Sequence, residues 1–301
     1  MGPAQAQARR LVVIFNPTAG ARRRRRLGQW LHCLDELGAQ VTLRETAGPH
    51  HAEELARAAD PAQCDAVVAA GGDGTINEVA NGLAHSVLPL AILPLGTANV
   101  LAAELGLPRQ VRDLAQIAAF ARARAVWPGE AVPEGAAAGR RFLAMAGIGF
   151  DAEVVEQLDL ALKRRIGKLA YAASILRRLR DYRPTIYRAV IDGVPVEGAS
   201  LIAAKSRFYG GRFVLAPAAR LSDPALQIVL FGRAGRGAAL GYMAAMAAGR
   251  LHHCRSLRIL PATSVRLEEP RDAAVQIDGD IHVRLPAMLR VAATPLYVIQ
   301  P

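Results

Sequence analysis

Along the first half of the chain, short apolar runs alternate with stretches of helical periodicity. Leu11–Phe15, Val41–Thr46, Asp65–Ala70 and Leu90–Leu93 read as strands. The most continuously apolar of them suit strands covered on both faces. Between and after them the pattern predicts helices over Arg22–Leu37, His51–Ala59, Ile76–Ala84, Val100–Leu105 and Val111–Ala121. Strand and helix in alternation predict an α/β fold, an open and mainly parallel sheet with helices on both faces.

A stretch rich in Pro, Gly and Ala, Pro128–Gly139, breaks that alternation and reads as a loop at a domain boundary. Beyond it β-like runs dominate: Arg141–Ala146, Thr185–Ile191, Leu201–Ala204, Leu226–Phe231, Leu257–Leu260, Ser264–Leu267, Val275–Ile277 and Ile281–Leu285. Helical segments are expected over Ile166–Arg180 and Ala238–Ala248. Many short strands set off by turn residues predict a β-rich sandwich or barrel-like second domain. The expected organisation is an α/β domain over residues 1–130 and a β-rich domain over 131–286, with 287–301 a candidate to return to the first.

Composition narrows the classes. With 301 residues, 52% of them hydrophobic, the chain is long enough for two domains with cores of their own and too apolar for intrinsic disorder. Cys33, Cys64 and Cys254 are too few and too scattered for a disulfide framework, which points to a reducing, cytoplasmic setting. The longest uncharged stretch, Ser86–Ala103, is crossed by Pro89, Pro94 and Gly96 and cannot span a bilayer as one helix. Leu11–Phe15 is too short for the core of an export signal. The net charge of +11, from 37 Lys+Arg against 26 Asp+Glu, invites an anionic partner: nucleic acid, nucleotide phosphates or an anionic membrane face. Aromatic content of 5% argues against nucleic acid, whose single strands are held by stacking on rings.

The strongest local signal is Gly71-Gly72-Asp73-Gly74-Thr75-Ile76-Asn77, where a buried strand hands over to a helix. In open α/β sheets ligands bind at that edge. Glycines let the backbone approach an anion, and the positive end of the following helix suits phosphate. Asp73 either fixes the loop through hydrogen bonds or engages a metal carried by phosphates; the plain alternative is a glycine turn with Asp73-Gly74-Thr75 as a helix cap. Asn16-Pro17-Thr18-Ala19-Gly20 and Pro94-Leu95-Gly96-Thr97-Ala98-Asn99 sit at two further strand-to-helix junctions. Doubly wound topology gathers such junctions along one sheet edge. No GxxxxGK[ST] loop is present.

In their order, NPTAG, GGDGTINEV, PLGTAN, GIGFDAEV and a late DGD resemble the diacylglycerol kinase catalytic family, in particular its soluble bacterial YegS-like lipid kinases, with sphingosine and ceramide kinases as relatives. GGDGT alone is shared with NAD kinases, the runner-up reading; a third is a non-catalytic nucleotide- or lipid-binding regulator on the same fold. The resemblance implies an ATP-dependent phosphoryl transfer to the hydroxyl of a lipid such as diacylglycerol, with Mg²⁺ arriving on the nucleotide. It implies ATP contacts from Asn16, Pro17, Thr18, Ala19 and Gly20, from Thr46, from Gly71 to Asn77 and from Thr97, with the reaction in a cleft between the two domains. The lipid alcohol would be met at a membrane surface by a cytoplasmic protein in peripheral contact with anionic lipid, and no nucleic-acid partner is expected.

The remaining roles come from the same resemblance. Asp280, in Asp278-Gly279-Asp280, falls at the position of the family's general base, usually the Glu of a DGE motif; Asp73 is the rival base, and the plain reading of the motif is an Asp-Gly hairpin turn. Asp151 corresponds to a lipid-headgroup contact, or else to the N-cap of a helix starting near Ala152. Arg220-Leu221-Ser222-Asp223-Pro224-Ala225 resembles a structural Mg²⁺ site made of the Asp223 carboxylate and the carbonyls of Arg220 and Ala225, although Pro224 replaces a usual Gly and Gln227 a frequent Asp, so a metal-free turn is equally open. The Arg22–Arg26 run and the basic residues around the Ile166 helix read first as wet helix faces; the sharper alternatives are ATP steering or anionic lipid contact for the first and a membrane-facing amphipathic helix for the second.

Overall fold

A computed structural model describes residues 7–17, 21–157 and 168–301. The chain divides into two compact units, one of Met1–Val126 with Thr294–Pro301 and one of Trp127–Ala293.

In the first unit, strands β1 (Arg10–Phe15), β2 (Gln40–Glu45), β3 (Ala66–Gly71), β4 (Leu90–Pro94), β5 (Ala123–Val126) and β20 (Leu296–Ile299) form one sheet in the order β2-β1-β3-β4-β20-β5. Every pairing is parallel except β20 with β5. Helices α1 (Ala21–Glu36) and α5 (Val111–Phe120) pack Trp30, Leu34, Leu114 and Ala118 on one face, against Val13, Phe15, Val68 and Ala70. The alternate residues Ile14, Val67 and Ala69 are buried as well, as a sheet covered on both sides requires. Helices α2 (His51–Arg57), α3 (Asp73–Gly82) and α4 (Val100–Glu104) complete the unit.

The second unit is a β-sandwich of two six-stranded antiparallel sheets. One joins β6 (Gly129–Pro133), β7 (Arg140–Phe142), β9 (Tyr187–Ile191), β10 (Val194–Gly198), β16 (Ser264–Glu269) and β19 (Ala287–Val291). The other joins β8 (Met145–Gly149), β11 (Ser200–Ala204), β14 (Leu226–Phe231), β15 (Leu257–Ala262), β17 (Ala274–Ile277) and β18 (Asp280–Arg284). Phe142, Ala189, Leu267 and Leu289 of the first sheet share one core with Ile148, Leu201, Ile228 and Val275 of the second. A small hairpin, β12 (Phe208–Tyr209) with β13 (Phe213–Val214), and helices α6 (Phe150–Glu156), α7 (Lys168–Asp181) and α8 (Arg236–Ala247) are added.

The expected fold class is therefore the observed one: a parallel-rich sheet with helices, followed by a β-rich unit. Two local expectations need correction. Pro128–Gly139 is not all loop, because β6 occupies Gly129–Pro133; Gly129 fits there since the Phe142 ring fills the space of a side chain, with a Cβ placed 2.0 Å from Phe142 Cζ. Of the closing stretch, β19 stays in the sandwich and only β20 joins the first sheet. The first residues of the expected Ile166 helix, and its Lys163–Arg165 cluster, lie outside the described residues. Among the described residues no helix is long and apolar enough to cross a membrane.

Candidate functional site

The parallel strands of the first unit end together, and their loops interlock. After β1, the Asn16 N–H donates to Ala70 O (3.2 Å) and its Nδ2 reaches Thr75 Oγ1 (3.3 Å). After β2, the N–H of buried Thr46 donates to Phe15 O (2.9 Å). After β4, the Leu95 N–H donates to Gly71 O at the end of β3 (2.8 Å). The two glycine loops lie backbone to backbone: a Cβ on Gly96 would sit 2.6 Å from Gly72 Cα, and one on Gly71 would sit 2.5 Å from Thr75 Cβ. Asn16, Pro17, Thr46, Gly71–Asn77 and Thr97 thus sit at one carboxyl edge of the sheet, whereas Thr18, Ala19 and Gly20 lie outside the described residues.

Helix α3 begins at Asp73, not near Ile76, and its N-cap is Gly72, which offers no side chain to the first-turn N–H groups. An uncapped helix start of this kind is suited to an anion. Asp73-Gly74-Thr75 is therefore the first turn of α3 and not its cap. Asp73 instead serves the neighbouring helix: Oδ1 accepts from the Leu101 N–H (3.5 Å), and the N–H groups of Leu101, Val100 and Asn99 all favour its charged form. Burial opposes them and prevails, raising the carboxyl above its ordinary value. Asp73 so ties the GGDGT loop to the N-terminus of α4, whose own N-cap Asn99 is left-handed (φ 49°) and donates through Nδ2 to Gly96 O (2.9 Å). Ile76 and Asn77 are buried in α3. At the start of α1, Arg23 Nη2 donates to Thr97 Oγ1 (3.4 Å), while Arg24 pairs with Glu45 at 2.9 Å.

In the second unit, β8 pairs antiparallel with β17, Gly147 opposite Gln276, and the Asp278 N–H donates to Met145 O (2.9 Å), which sets the Asp278-Gly279 turn beside the start of β8. Asp278 (φ 49°) and Gly279 (φ 92°) form the two-residue hairpin between β17 and β18. The Asp278 carboxylate accepts the N–H groups of Leu143 (2.8 Å), Ala144 (2.9 Å) and Met145 (2.9 Å), so its oxygens are spent on the β7–β8 connection. Asp280, half-buried, opens β18 opposite Ile277. Asp151 lies in the first turn of α6 behind N-cap Gly149, so it is not the cap of its own helix. It is buried; Oδ1 accepts from the Tyr209 hydroxyl, Gln276 bonds the same carboxyl, and Oδ2 has no partner. Burial raises its pKa, and the Tyr209 and Gln276 hydrogen bonds only partly counter this. Gln276 Oε1 in turn accepts the Gly279 N–H (2.9 Å), linking Asp151 to the hairpin.

The expected structural Mg²⁺ ligands meet a different cation. Lys205, fully buried one residue past β11, donates through Nζ to the carbonyls of Arg220 (3.2 Å), Asp223 (2.5 Å) and Ala225 (2.9 Å). Burial draws this ammonium down to about 8, with the Asp223 carboxylate pulling the other way. Both carbonyls of the expected metal site are thus already bonded to a positive charge. Mg²⁺ demands near-octahedral oxygen at about 2.0–2.1 Å, and this donor set does not fit it.

Tyr209, Gln276 and Lys205 are not among the residues expected from the sequence, whereas Arg23 falls in the Arg22–Arg26 run. Two of them left a trace there: Gln276 is the single polar residue in the buried strand AVQI, and Lys205 ends the buried run SLIAA.

The diacylglycerol kinase catalytic domain model matches residues 10–131, and the model of the YegS C-terminal NAD kinase beta sandwich-like domain matches residues 144–300. The chain is 28% identical over 300 residues to a diacylglycerol kinase of Bacillus subtilis, covering 97% of each. It is 34% identical over 198 residues to a Pseudomonas aeruginosa protein named "Probable lipid kinase YegS-like", covering 64% of this chain and 63% of that one. The crystal structure of a diacylglycerol kinase from Bacillus anthracis superposes with a TM-score of 0.73 at 20% identity, covering 99% of both chains.

Proposed function

The chain belongs to the diacylglycerol kinase catalytic family with a YegS-type C-terminal domain, a family of lipid kinases that use ATP, and from that membership we propose that it transfers the γ-phosphoryl group of ATP to the hydroxyl of a diacylglycerol-like lipid. What carries the reading is the meeting of the first unit's loops, Gly72 on Gly96 with Asp73 bridging them, beside the uncapped start of α3. Backbone N–H groups there receive the phosphates, Asn16 and Thr75 hold the loop walls together, and Arg23 with Thr97 adds a cation and a hydroxyl at the rim. Mg²⁺ brought by the nucleotide would neutralise charge on the transferring group.

Of the acidic candidates Asp73, Asp278 and Asp280, Asp280 is the one we assign as general base. Asp73 and Asp278 give their oxygens to backbone N–H donors. Asp151, with Tyr209 and Gln276, forms the polar end of the lipid site, where its unpartnered Oδ2 accepts from a headgroup hydroxyl. The acceptor is reached by peripheral contact with anionic bilayer. From Ala225 to Leu267 the chain has no Asp or Glu but six arginines, Arg233, Arg236, Arg250, Arg255, Arg258 and Arg266, all exposed. Within that stretch α8 shows Leu240 (53% exposed), and β13, which packs beside α8, shows Phe213 (48%). Each arginine close to an anionic surface contributes about 1 kcal/mol.

The test is to incubate the purified chain with γ-labelled ATP, Mg²⁺ and mixed micelles of diacylglycerol, monoacylglycerol, phosphatidylglycerol and a sphingoid base. A labelled lipid phosphate is expected, lost on Asp280→Ala. No labelled product from any of the four would reject the function, and a fully active Asp280→Ala would reject the base assignment alone.

A further inference from the structure

The chain holds 37 Lys+Arg, and only Lys163, Lys168 and Lys205 are lysines, so 37 − 3 = 34 are arginines. Where almost every cation is a guanidinium, the Lys205 ammonium lies buried among three carbonyl oxygens, those of Arg220, Asp223 and Ala225. An ammonium has three N–H donors, and three acceptors use all of them. A planar guanidinium, with five donors in a fork, could not converge on such a trio. The oxygens come from one turn, Arg220–Ala225, whose carbonyls point to a common centre, and that convergence would be repulsive without a positive charge at the centre.

We propose that Lys205 is a tethered cation standing in for a structural divalent ion, so that the second unit of this kinase carries no structural metal. Charge supports the replacement. From Arg220 to Gln227 the segment has one carboxylate, Asp223, enough for a monovalent ammonium and poor for a divalent ion; Gln227 is neutral. The geometry supports it too, because a divalent ion within reach of those carbonyls would lie about 3 Å from a like charge in a buried place, where the repulsion is many times that in water. The tether has structural reach: Lys205 and Ser206 N–H groups bond Ala144 O (2.8 and 3.0 Å), beside the residues that hold Asp278, and Leu221 O accepts the Trp127 N–H (2.8 Å). Lys205 is thus a positioning residue for the turn and for the β7–β8 connection, touching none of the reacting groups.

The experiment compares metal content and thermal melting of the full chain. After dialysis against metal-free buffer, elemental analysis of the wild type is expected to find less than about 0.1 Mg²⁺ or Ca²⁺ per chain, and its melting temperature is expected to be the same in EDTA and in MgCl₂ to within about 1 °C. Retention of about one ion per chain, or a melting temperature that drops in EDTA, would overturn the proposal without touching the kinase reading. Lys205→Ala leaves three buried carbonyls facing one another and is expected to melt about 5 °C lower or more; Lys205→Arg, which keeps the charge, is expected to fall as well. Wild-type melting in either variant would count against the tether. Should the variants fail to fold, the wild-type metal content and its indifference to chelation still decide.

Discussion

The contact between the two glycine loops can be tested with one methyl group. In Gly96→Ala the new Cβ would lie 2.6 Å from Gly72 Cα and 2.7 Å from Asn99 Oδ1, while ordinary contacts begin near 3.4 Å. The Asn99 amide can rotate away, at the cost of its bond to Gly96 O. Gly72 Cα is backbone, held by the Leu95 N–H bond to Gly71 O and by the start of α3, so the loops must part by about 0.8 Å. Overpacking of this kind costs about 1–3 kcal/mol of stability. A shift near 1 Å in groups that position a reacting phosphate costs roughly 100-fold in rate. Gly28 in α1 is the control, since nothing lies within 4 Å of its would-be Cβ; Gly28→Ala should gain about 0.5–1 kcal/mol through helix propensity and leave turnover alone. Steady-state lipid phosphorylation with ATP varied, run well below both melting temperatures, separates the site effect from the folding effect. If Gly96→Ala kept the wild-type kcat and KM for ATP, the loops would not be the nucleotide cradle.

Two further outcomes follow from the second unit. Leu240→Asp combined with Arg250→Glu should weaken co-sedimentation with phosphatidylglycerol-rich vesicles by roughly tenfold or more, while turnover of a water-soluble short-chain diacylglycerol stays intact; unchanged sedimentation would remove α8 from the bilayer contact. Asp151 is raised above its ordinary 3.8 by burial. Between 3.8 and its folded value the native state holds more protons than the unfolded chain, so stability falls as pH rises through that window. The melting temperature of Asp151→Asn relative to wild type should therefore rise as pH rises above the ordinary carboxylate range and fall as pH drops toward it, and the variant should turn over lipid more slowly. An advantage that grew with acidification would refute the assignment.

How much of this was legible in advance depended on whether the deciding partner was local. Strand β3 reads directly from AVVAAG because both its faces are covered, and the glycines of GGDGT read as close backbone approach because no other residue allows it. Strand β6 was not legible: Gly129 and Pro133 look like loop chemistry, and only the Phe142 ring, brought over by a neighbouring strand, makes glycine the right residue there. The end of the chain divides for the same reason, since β19 and β20 are both short apolar strands whose sheet is chosen by distant partners.

The acidic residues make the point most sharply. By sequence, Asp73, Asp278 and Asp280 are three carboxylates beside glycine, each acceptable as a base, a cap or a turn. Their difference lies in which N–H groups the fold brings within reach: those of Asn99–Leu101 for Asp73, and those of Leu143–Met145 for Asp278. The three N–H bonds commit the Asp278 carboxylate to the β7–β8 connection, and Asp73 is committed to the start of α4 although burial raises its carboxyl above its ordinary value. In the DGD motif the first Asp builds the hairpin, and the second, two residues on and past the turn, is the one we assign to the chemistry. If that division is right, Asp278→Asn should cost mainly stability and Asp280→Asn mainly turnover, and a reversal of the two would return the base to the turn itself.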